Sequence, residues 1–159
     1  MDAEHVAASL VVDAPVETVF SAIADPTTHA AVDGTGWVQG AHDTQPIAGA
    51  GQVFRMGMFH PNHPDGNYET ANLVEAFDPP TAISWRTGTE DADTGELSFG
   101  GWFWRYDLAP VGPDRTEVTL TYDWSAVGPE VHEYLSFPPF GPDHLANSLE
   151  HLAAVVAAR

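Results

Sequence analysis

The apolar positions near the C-terminus follow a helical period. Spacings of i, i+4, i+7 and i+11 bring large side chains onto one narrow arc of a helix, and they separate Leu145, Leu149, Leu152 and Val156. The pattern predicts a helix from Pro142 to Ala158. Because such a face must be covered by other apolar groups, we expect the rest of the fold to pack against this helix.

Two segments just upstream alternate with a period of two instead. Gly101 to Leu108 and Thr116 to Trp124 are therefore predicted to be strands. The bulky side chains on one face of these strands are Trp102, Trp104, Tyr106, Leu108, Val118, Leu120, Tyr122 and Trp124. This face can cover the helix in two ways, either as a solid core or as a core left partly open to hold an apolar molecule.

The N-terminal half predicts further short elements. His5 to Val12 is rich in Val and Ala and favours a strand. Pro15 and Glu17 begin a helix whose buried stripe ends at Ile23, and a second short helix is predicted from Pro26 to Val32. More strands are predicted over Val53 to Phe59, Tyr68 to Phe77 and Ala82 to Thr87.

Proline and glycine mark the loops. His60 to Asn67 and Glu90 to Gly95 are predicted to be exposed connections, and residues 37–51 carry too weak a pattern for any element. Ser125 to Gly141 is long and aromatic, and we expect its part from Val131 to Phe140 to form a lid. Strands that come in a run predict an α+β fold in a single domain over residues 1–159.

The negative charge of the chain limits the kinds of partner that it is expected to bind. The chain of 159 residues has 23 acidic residues against 5 arginines and no lysine, which gives a formal charge of -18. Binding to nucleic acid or to anionic lipid depends on Lys and Arg, so we expect no nucleic-acid partner and no membrane insertion. Adaptation to a saline or GC-rich background is the interpretation we favour for the acidity.

The sequence also lacks cysteine, signal-peptide features and a segment that could cross a membrane. Cysteine is missing, so disulfides and thiolate chemistry are excluded. The first residues lack the basic and apolar regions of a signal peptide, and no window is apolar enough to cross a membrane. From this we expect a cytoplasmic protein.

Two motifs resemble a known superfamily. The segments are Ala14 to Phe20 with Ile23 to Pro26, and Glu75 to Pro80 leading into Ile83 to Arg86. Together with the terminal helix they resemble the START-like (SRPBCC) superfamily, and its bacterial polyketide cyclase/dehydrase-like members are the most similar in size. The resemblance spans nearly the whole chain.

The resemblance implies a helix-grip fold, in which a curved antiparallel sheet of about seven strands wraps around a long C-terminal helix and encloses an apolar cavity. Members of the superfamily bind lipids, sterols or polyketides, and some cyclise or dehydrate polyketide chains. No catalytic residue is shared across it, so none is transferred to this chain.

Aromatic and methionine side chains supply the candidate ligand-binding wall. Tryptophan and tyrosine with adaptable methionine suit a pocket for an apolar, ring-containing molecule, although a packed core would use the same residues. The predicted ligand-binding residues are Phe54, Met56, Met58, Trp85, Trp102, Trp104, Tyr106, Tyr122, Trp124, Leu145, Leu149 and Leu152.

Histidines and arginines offer weaker candidates. His60 and His63 have a spacing that can hold Zn²⁺, but the simpler interpretation is a polar turn, and we expect no metal and no cofactor. His144 and His151 flank the apolar helix face, and we favour a solvated position for both over a proton-transfer role. Acids, an imidazole and phenols also gather near the expected pocket mouth, at Tyr122, Asp123, His132, Glu133 and Tyr134.

Arg105 alternates with Trp104 and Tyr106, so it is expected on the opposite face of its strand, paired with carboxylates. Binding of an anionic ligand group is the alternative for Arg105, and Arg86 and Arg55 have the same ambiguity.

Three functions remain open at this point. The first is a monomeric or homodimeric protein that binds, transports or sequesters a small hydrophobic or aromatic molecule between the sheet and the C-terminal helix. The second is a cyclase or dehydratase without metal that uses His or Tyr in the cavity. The third is a co-chaperone-type interaction module, which needs an exposed apolar patch.

Overall fold

A computed structural model of the protein describes residues 4–33, 37–59, 66–129, 140–141 and 143–158. The strands within these ranges are β1 (His5–Val12), β2 (Val38–Ala41), β3 (Val53–Phe59), β4 (Asn67–Asp78), β5 (Ala82–Glu90), β6 (Leu97–Gly112) and β7 (Arg115–Asp123). Within the same ranges the α-helices are α1 (Val16–Ile23), α2 (His29–Asp33) and α3 (His144–Ala157), and a 3₁₀ turn covers Pro26–Thr28.

The strands form one antiparallel sheet with the order β1-β7-β6-β5-β4-β3-β2. Strand β1 pairs with β7, the last strand in the chain order given above, with His5 opposite Asp123 and Val12 opposite Thr116. All other neighbours in the sheet are consecutive in the chain, so short hairpins connect most of it.

The terminal helix covers only one side of this curled sheet. Helix α3 packs on α2, β1, α1 and β7. The face predicted from its period is buried throughout, at Leu145, Leu149, Leu152 and Val156. The predicted α+β class and helix-grip architecture are confirmed, because a long helix lies against the concave face of an antiparallel sheet.

Strand β2 was missed by the sequence analysis. Its four residues, Val-Gln-Gly-Ala, include one glycine and a single large apolar side chain, so no alternation is visible over Val38–Ala41. The strand exists because β3 offers it an edge to pair with, and Val38 lies opposite Met58. Pairing between distant segments therefore determines an element that local pattern does not indicate.

Strand β6 begins earlier than predicted, at Leu97 instead of Gly101. A register shift against β5 lets the strand continue through its glycines. Gly101 has a φ of 108°, a conformation that favours glycine, and a Cβ there would lie 2.5 Å from the carbonyl oxygen of Ala126. The bulge hides the strand from a pattern-based prediction because it interrupts the alternation.

Three arginines form ion pairs with carboxylates and are not among the residues that line the main cavity described below. The pair predicted for Arg105 is present. These groups are partly exposed, so each pair contributes about 0–1 kcal/mol. The pairs are Arg55 with Glu90, Arg86 with Glu75 and Arg105 with Asp107, at nitrogen–oxygen distances of 2.8, 3.3 and 3.0 Å.

None of the helices in the described ranges combines the length and the apolarity required to cross a bilayer.

Candidate functional site

A cavity of about 790 Å³ lies between the sheet and the helices. Its wall includes side chains from β3, β4, β5 and β6 on the sheet side and from α2 and α3 on the helix side. Of the two alternatives raised by the sequence, a solid core and a partly open core, the protein has the open one. The opening exists where α3 no longer covers the sheet.

An aromatic row crosses the floor of the cavity. Trp85 of β5 lies opposite Trp104 of β6, and Trp104 lies opposite Tyr122 of β7. The rings of Trp104 and Tyr122 have centroids 4.6 Å apart, and Phe140 packs on both of them. Cross-strand register holds these rings side by side, so the wall of the cavity carries an aromatic surface.

Most of the predicted wall residues border this cavity. Those in its lining are Phe54, Met56, Met58, Trp85, Trp102, Trp104, Tyr106, Tyr122 and Leu152. Trp102, Trp104 and Tyr106, which alternation placed on one face of β6, all border the cavity, whereas the sequence alone left open which face of the strand points inward. Whether these residues bind a ligand stays a prediction.

Three of the predicted wall residues are placed elsewhere. Trp124, Leu145 and Leu149 are buried in the hydrophobic core and are absent from the cavity lining. The two leucines lie on the face of α3 that packs into the core, whereas their chain neighbours His144 and Ser148 border the cavity. Only Leu152 of the predicted α3 residues reaches the cavity.

His29 is a half-buried polar group in the lining of the cavity. The predicted short helix is split at this point, because a 3₁₀ turn over Pro26–Thr28 folds the chain back beneath the end of α1. Thr28 Oγ1 donates to the carbonyl of Ala22 at 2.8 Å, and His29 Nε2 donates to that of Ile23 at 2.9 Å. Both side chains thus satisfy carbonyls that the helix end leaves unpaired.

The His29 ring is fixed on its other sides by aromatic groups. It stacks on Trp85 with centroids 5.1 Å apart and an interplanar angle of 15°, and Phe54 meets it edge-on at 5.5 Å. Burial lowers the pKa of His29, and the hydrogen bond to Ile23 and the charge of Asp25 only partly offset this effect. The imidazole is therefore neutral at pH 7.

We expect this lowered pKa to make folding stability depend on pH. The folded-state pKa of His29 lies below its ordinary value of 6.5, so below that pH the unfolded chain takes up a proton that the folded protein resists. The stability contribution is complete above pH 6.5 and is lost as pH falls through the folded-state pKa. Urea unfolding from about pH 7 to about pH 5 should show wild type losing stability relative to His29→Phe. Parallel curves for the two proteins would contradict this assignment.

Two tyrosine hydroxyls also face the cavity. Tyr106 and Tyr122 are buried in the lining, and burial raises the pKa of both phenols, so they remain protonated. In the described part of the chain neither hydroxyl has a hydrogen-bond partner. Asp33, also in the lining, raises the pKa of Tyr106 further and that of Tyr68.

The prediction that His144 lies on a solvated flank of the helix is wrong. It lies in the cavity lining, with its ring 4.6 Å from that of Phe140 and 6.2 Å from that of Trp104. Burial lowers the pKa of His144, while Asp33 raises it and His151 lowers it. His151 is exposed and hydrogen-bonds through Nδ1 to the carbonyl of Val32 at 3.3 Å.

Several predicted features fall outside the described residues. These are His60, His63, His132, Glu133, Tyr134 and the proposed lid except Phe140. Within the described ranges, no group of three His, Asp or Glu side chains is arranged to hold a metal ion.

Sequence analysis missed the polar groups at the helix end of the cavity, chiefly His29 and Asp33. The available signal was weak: Thr28 and His29 follow the helix stop at Asp25-Pro26, and both residue types can bond to the free carbonyls of a helix end. Nothing in the sequence indicated that this turn points a histidine into the cavity.

Comparison with known proteins finds a matching family model and a curated relative. A family model described as "Polyketide cyclase / dehydrase and lipid transport" matches residues 3–157. An uncharacterized protein of Mycobacterium tuberculosis, Rv0088, is 28% identical over 124 residues, which are 78% of this chain and 49% of the relative. The chain thus spans about half the length of this curated relative.

Solved structures share the fold at low sequence identity. Protein Ms6760 from Mycobacterium smegmatis is 17% identical, with a TM-score of 0.67 over 99% of this chain and 93% of that one. Norcoclaurine synthase from Thalictrum flavum, solved in complex with dopamine and hydroxybenzaldehyde, is 15% identical. Its TM-score is 0.63, covering 98% of this chain and 87% of the synthase. Identities this low establish a common fold and nothing about activity.

Proposed function

The chain belongs to the polyketide cyclase / dehydrase and lipid transport family, and from that premise we propose that it binds a small hydrophobic, ring-containing molecule in the cavity. The observation that carries this proposal is the cavity itself. Its volume of about 790 Å³ lies within the range of roughly 300–1,000 Å³ that is typical of small-molecule sites.

The lining supports an aromatic ligand over a simple alkyl chain. Rings from three adjacent strands, at Trp85, Trp104 and Tyr122, give the wall an aromatic surface that another ring can contact. Met56 and Met58 add adaptable contacts from β3. The fold relative from Thalictrum flavum is a synthase solved with two aromatic molecules, which agrees with this choice.

The surface charge supports the partners that we propose. With a formal charge of -18, the protein repels nucleic acid and anionic headgroups. An uncharged ligand that enters from water meets no such repulsion. A monomeric or homodimeric state and a cytoplasmic location remain predictions from the sequence.

Binding is testable with the uncharged dye N-phenylnaphthylamine, whose fluorescence rises in apolar surroundings. We expect saturable binding with one dye per chain, and displacement of the dye by small aromatic molecules added to the same sample. Native mass spectrometry of protein mixed with a cell extract should then show a bound small molecule. A fluorescence rise that never saturates, together with no adduct in the mass spectrum, would rule the proposal out.

A metal-independent enzyme is the second candidate, favoured by the polar groups that share the cavity. His29 and His144 can accept protons when neutral, and Tyr106 can donate one. General acid–base chemistry requires such groups within hydrogen-bonding distance of a bound substrate. A captured molecule released with altered mass or with exchanged carbon-bound hydrogen would favour this candidate, and unchanged release would favour binding alone.

The interaction-module alternative depends on an apolar surface patch. The large apolar side chains that are exposed in the described ranges are Val11, Phe59 and Val111, which lie on three different strands, β1, β3 and β6. No observation on the described surface favours this function over the cavity-based ones.

A further inference from the structure

The hydrogen bond of His29 determines which ring nitrogen carries the proton. Nε2 lies 2.9 Å from the carbonyl oxygen of Ile23, and a carbonyl oxygen can only accept. Nε2 must therefore hold the hydrogen, and in a neutral imidazole the other nitrogen, Nδ1, then holds a lone pair. Burial favours this neutral form. The Nδ1 atom can accept a hydrogen bond but cannot donate one.

This acceptor is left unused by the protein. In the ranges that the structure describes, Nδ1 of His29 has no hydrogen-bond partner, and the residue keeps accessible surface while it lines the cavity. The imidazole ring is clamped against Trp85 and Phe54, so it cannot turn to find another partner without losing those contacts. The atom therefore faces the cavity as an acceptor to which a bound ligand can donate a hydrogen bond.

The other polar groups nearby either already have hydrogen-bond partners or can act as both donor and acceptor. The Asn72 amide donates to the Phe54 carbonyl at 3.2 Å and accepts from Thr87 Oγ1 at 2.8 Å. The hydroxyls of Tyr106 and Tyr122 can both donate and accept, so they tolerate a ligand of either character. His29 is different because its free atom accepts only.

We propose that His29 determines the specificity of the cavity, and that the ligand is a ring-containing apolar molecule whose O–H or N–H group donates a hydrogen bond to Nδ1 of His29. This inference rests on the proposed function and adds the chemical class of the ligand. The donor approaches in the plane of the imidazole, because the Nδ1 lone pair lies in that plane, and the stacked Trp85 ring fixes its orientation.

The test uses a matched ligand pair, 2-naphthol and 2-methoxynaphthalene, which differ in the presence of the O–H donor. Dissociation constants are measured by displacement of N-phenylnaphthylamine. We expect wild type to bind 2-naphthol about fivefold more tightly than the methyl ether, a ratio typical of one hydrogen bond to a buried group. In His29→Phe, which keeps a flat ring without the acceptor, the ratio should fall to about one.

Tyr106→Phe and Tyr122→Phe are the matched controls, because each removes one cavity hydroxyl and retains its ring. Both should keep the preference for 2-naphthol. Equal affinities of wild type for the two ligands would overturn the assignment of His29 while leaving the proposed function intact. Loss of the preference in a tyrosine variant but not in His29→Phe would also overturn it. If neither ligand displaces the dye, the proposed function fails and this inference fails with it.

A second measurement uses wild type only, so the proposal can be tested even if His29→Phe does not fold. Nitrogen NMR of the ¹⁵N-labelled imidazoles separates a protonated from a bare ring nitrogen. The bare Nδ1 signal of His29 should move towards lower frequency when 2-naphthol is added and should move much less with 2-methoxynaphthalene. Identical responses to the two ligands would contradict the proposal.

Discussion

Replacement of Leu149 by alanine is expected to lower the free energy of unfolding by about 2–5 kcal/mol. Leu149 lies on α3 with 0% of its surface exposed, within the hydrophobic core and outside the cavity lining. Truncation removes apolar contacts and leaves a void that the surrounding helices and strands fill only in part. Chemical denaturation followed by circular dichroism measures the loss.

Val111→Ala is the matched control, because Val111 is also a branched apolar residue but is 50% exposed near the end of β6. Its free energy of unfolding should change by less than about 0.5 kcal/mol. A similarly small loss for Leu149→Ala would mean that α3 does not pack on the fold as described. The comparison therefore tests the contact between α3 and the core independently of any ligand.

Replacement of Trp104 by leucine should weaken ligand binding by at least about tenfold. Trp104 occupies the middle of the aromatic row and borders the cavity, with Trp85 opposite it on one side and Tyr122 on the other. Loss of the indole removes the widest flat surface available to a stacked ring. Titration with N-phenylnaphthylamine gives the affinity directly.

Trp124→Leu is the control for that experiment. Trp124 is a buried tryptophan near the same aromatic group, 5.9 Å from the ring of Tyr122, yet it is absent from the cavity lining. Its replacement should reduce stability and leave the dye affinity of the folded protein within about twofold of wild type. Equal loss of affinity in the two variants would show that the ligand lies elsewhere, or that the aromatic cluster responds as one unit.

The polar end of the cavity gives the site its chemical character. Trp85 provides apolar area, whereas Nδ1 of His29 and the hydroxyl of Tyr106 impose direction. A wholly apolar pocket discriminates little between molecules of similar size, while an unpaired acceptor disfavours any ligand that cannot satisfy it. The proposed hydrogen bond to His29 would therefore give the site a selectivity that hydrophobic burial alone does not provide.

Local pattern in the sequence determined much of the fold. The 3.6-residue period at Leu145 to Val156 defined a buried helix face, and alternation placed Trp102, Trp104 and Tyr106 together on one face of β6. These features were predictable because side-chain direction repeats with the period of the element itself. The charge of -18 likewise follows from composition alone.

Tertiary structure decided where the layers touch and where they separate. Leu149 and Leu152 are both fully buried in the core, but only Leu152 also borders the cavity, because it lies on the flank of α3 that carries His144 and Ser148. Strand β2 depends on an edge supplied by β3, and the position of His29 depends on the carbonyl that α1 presents to it. Sequence periodicity reports which way a side chain points, and only the packing of distant segments determines what it meets there.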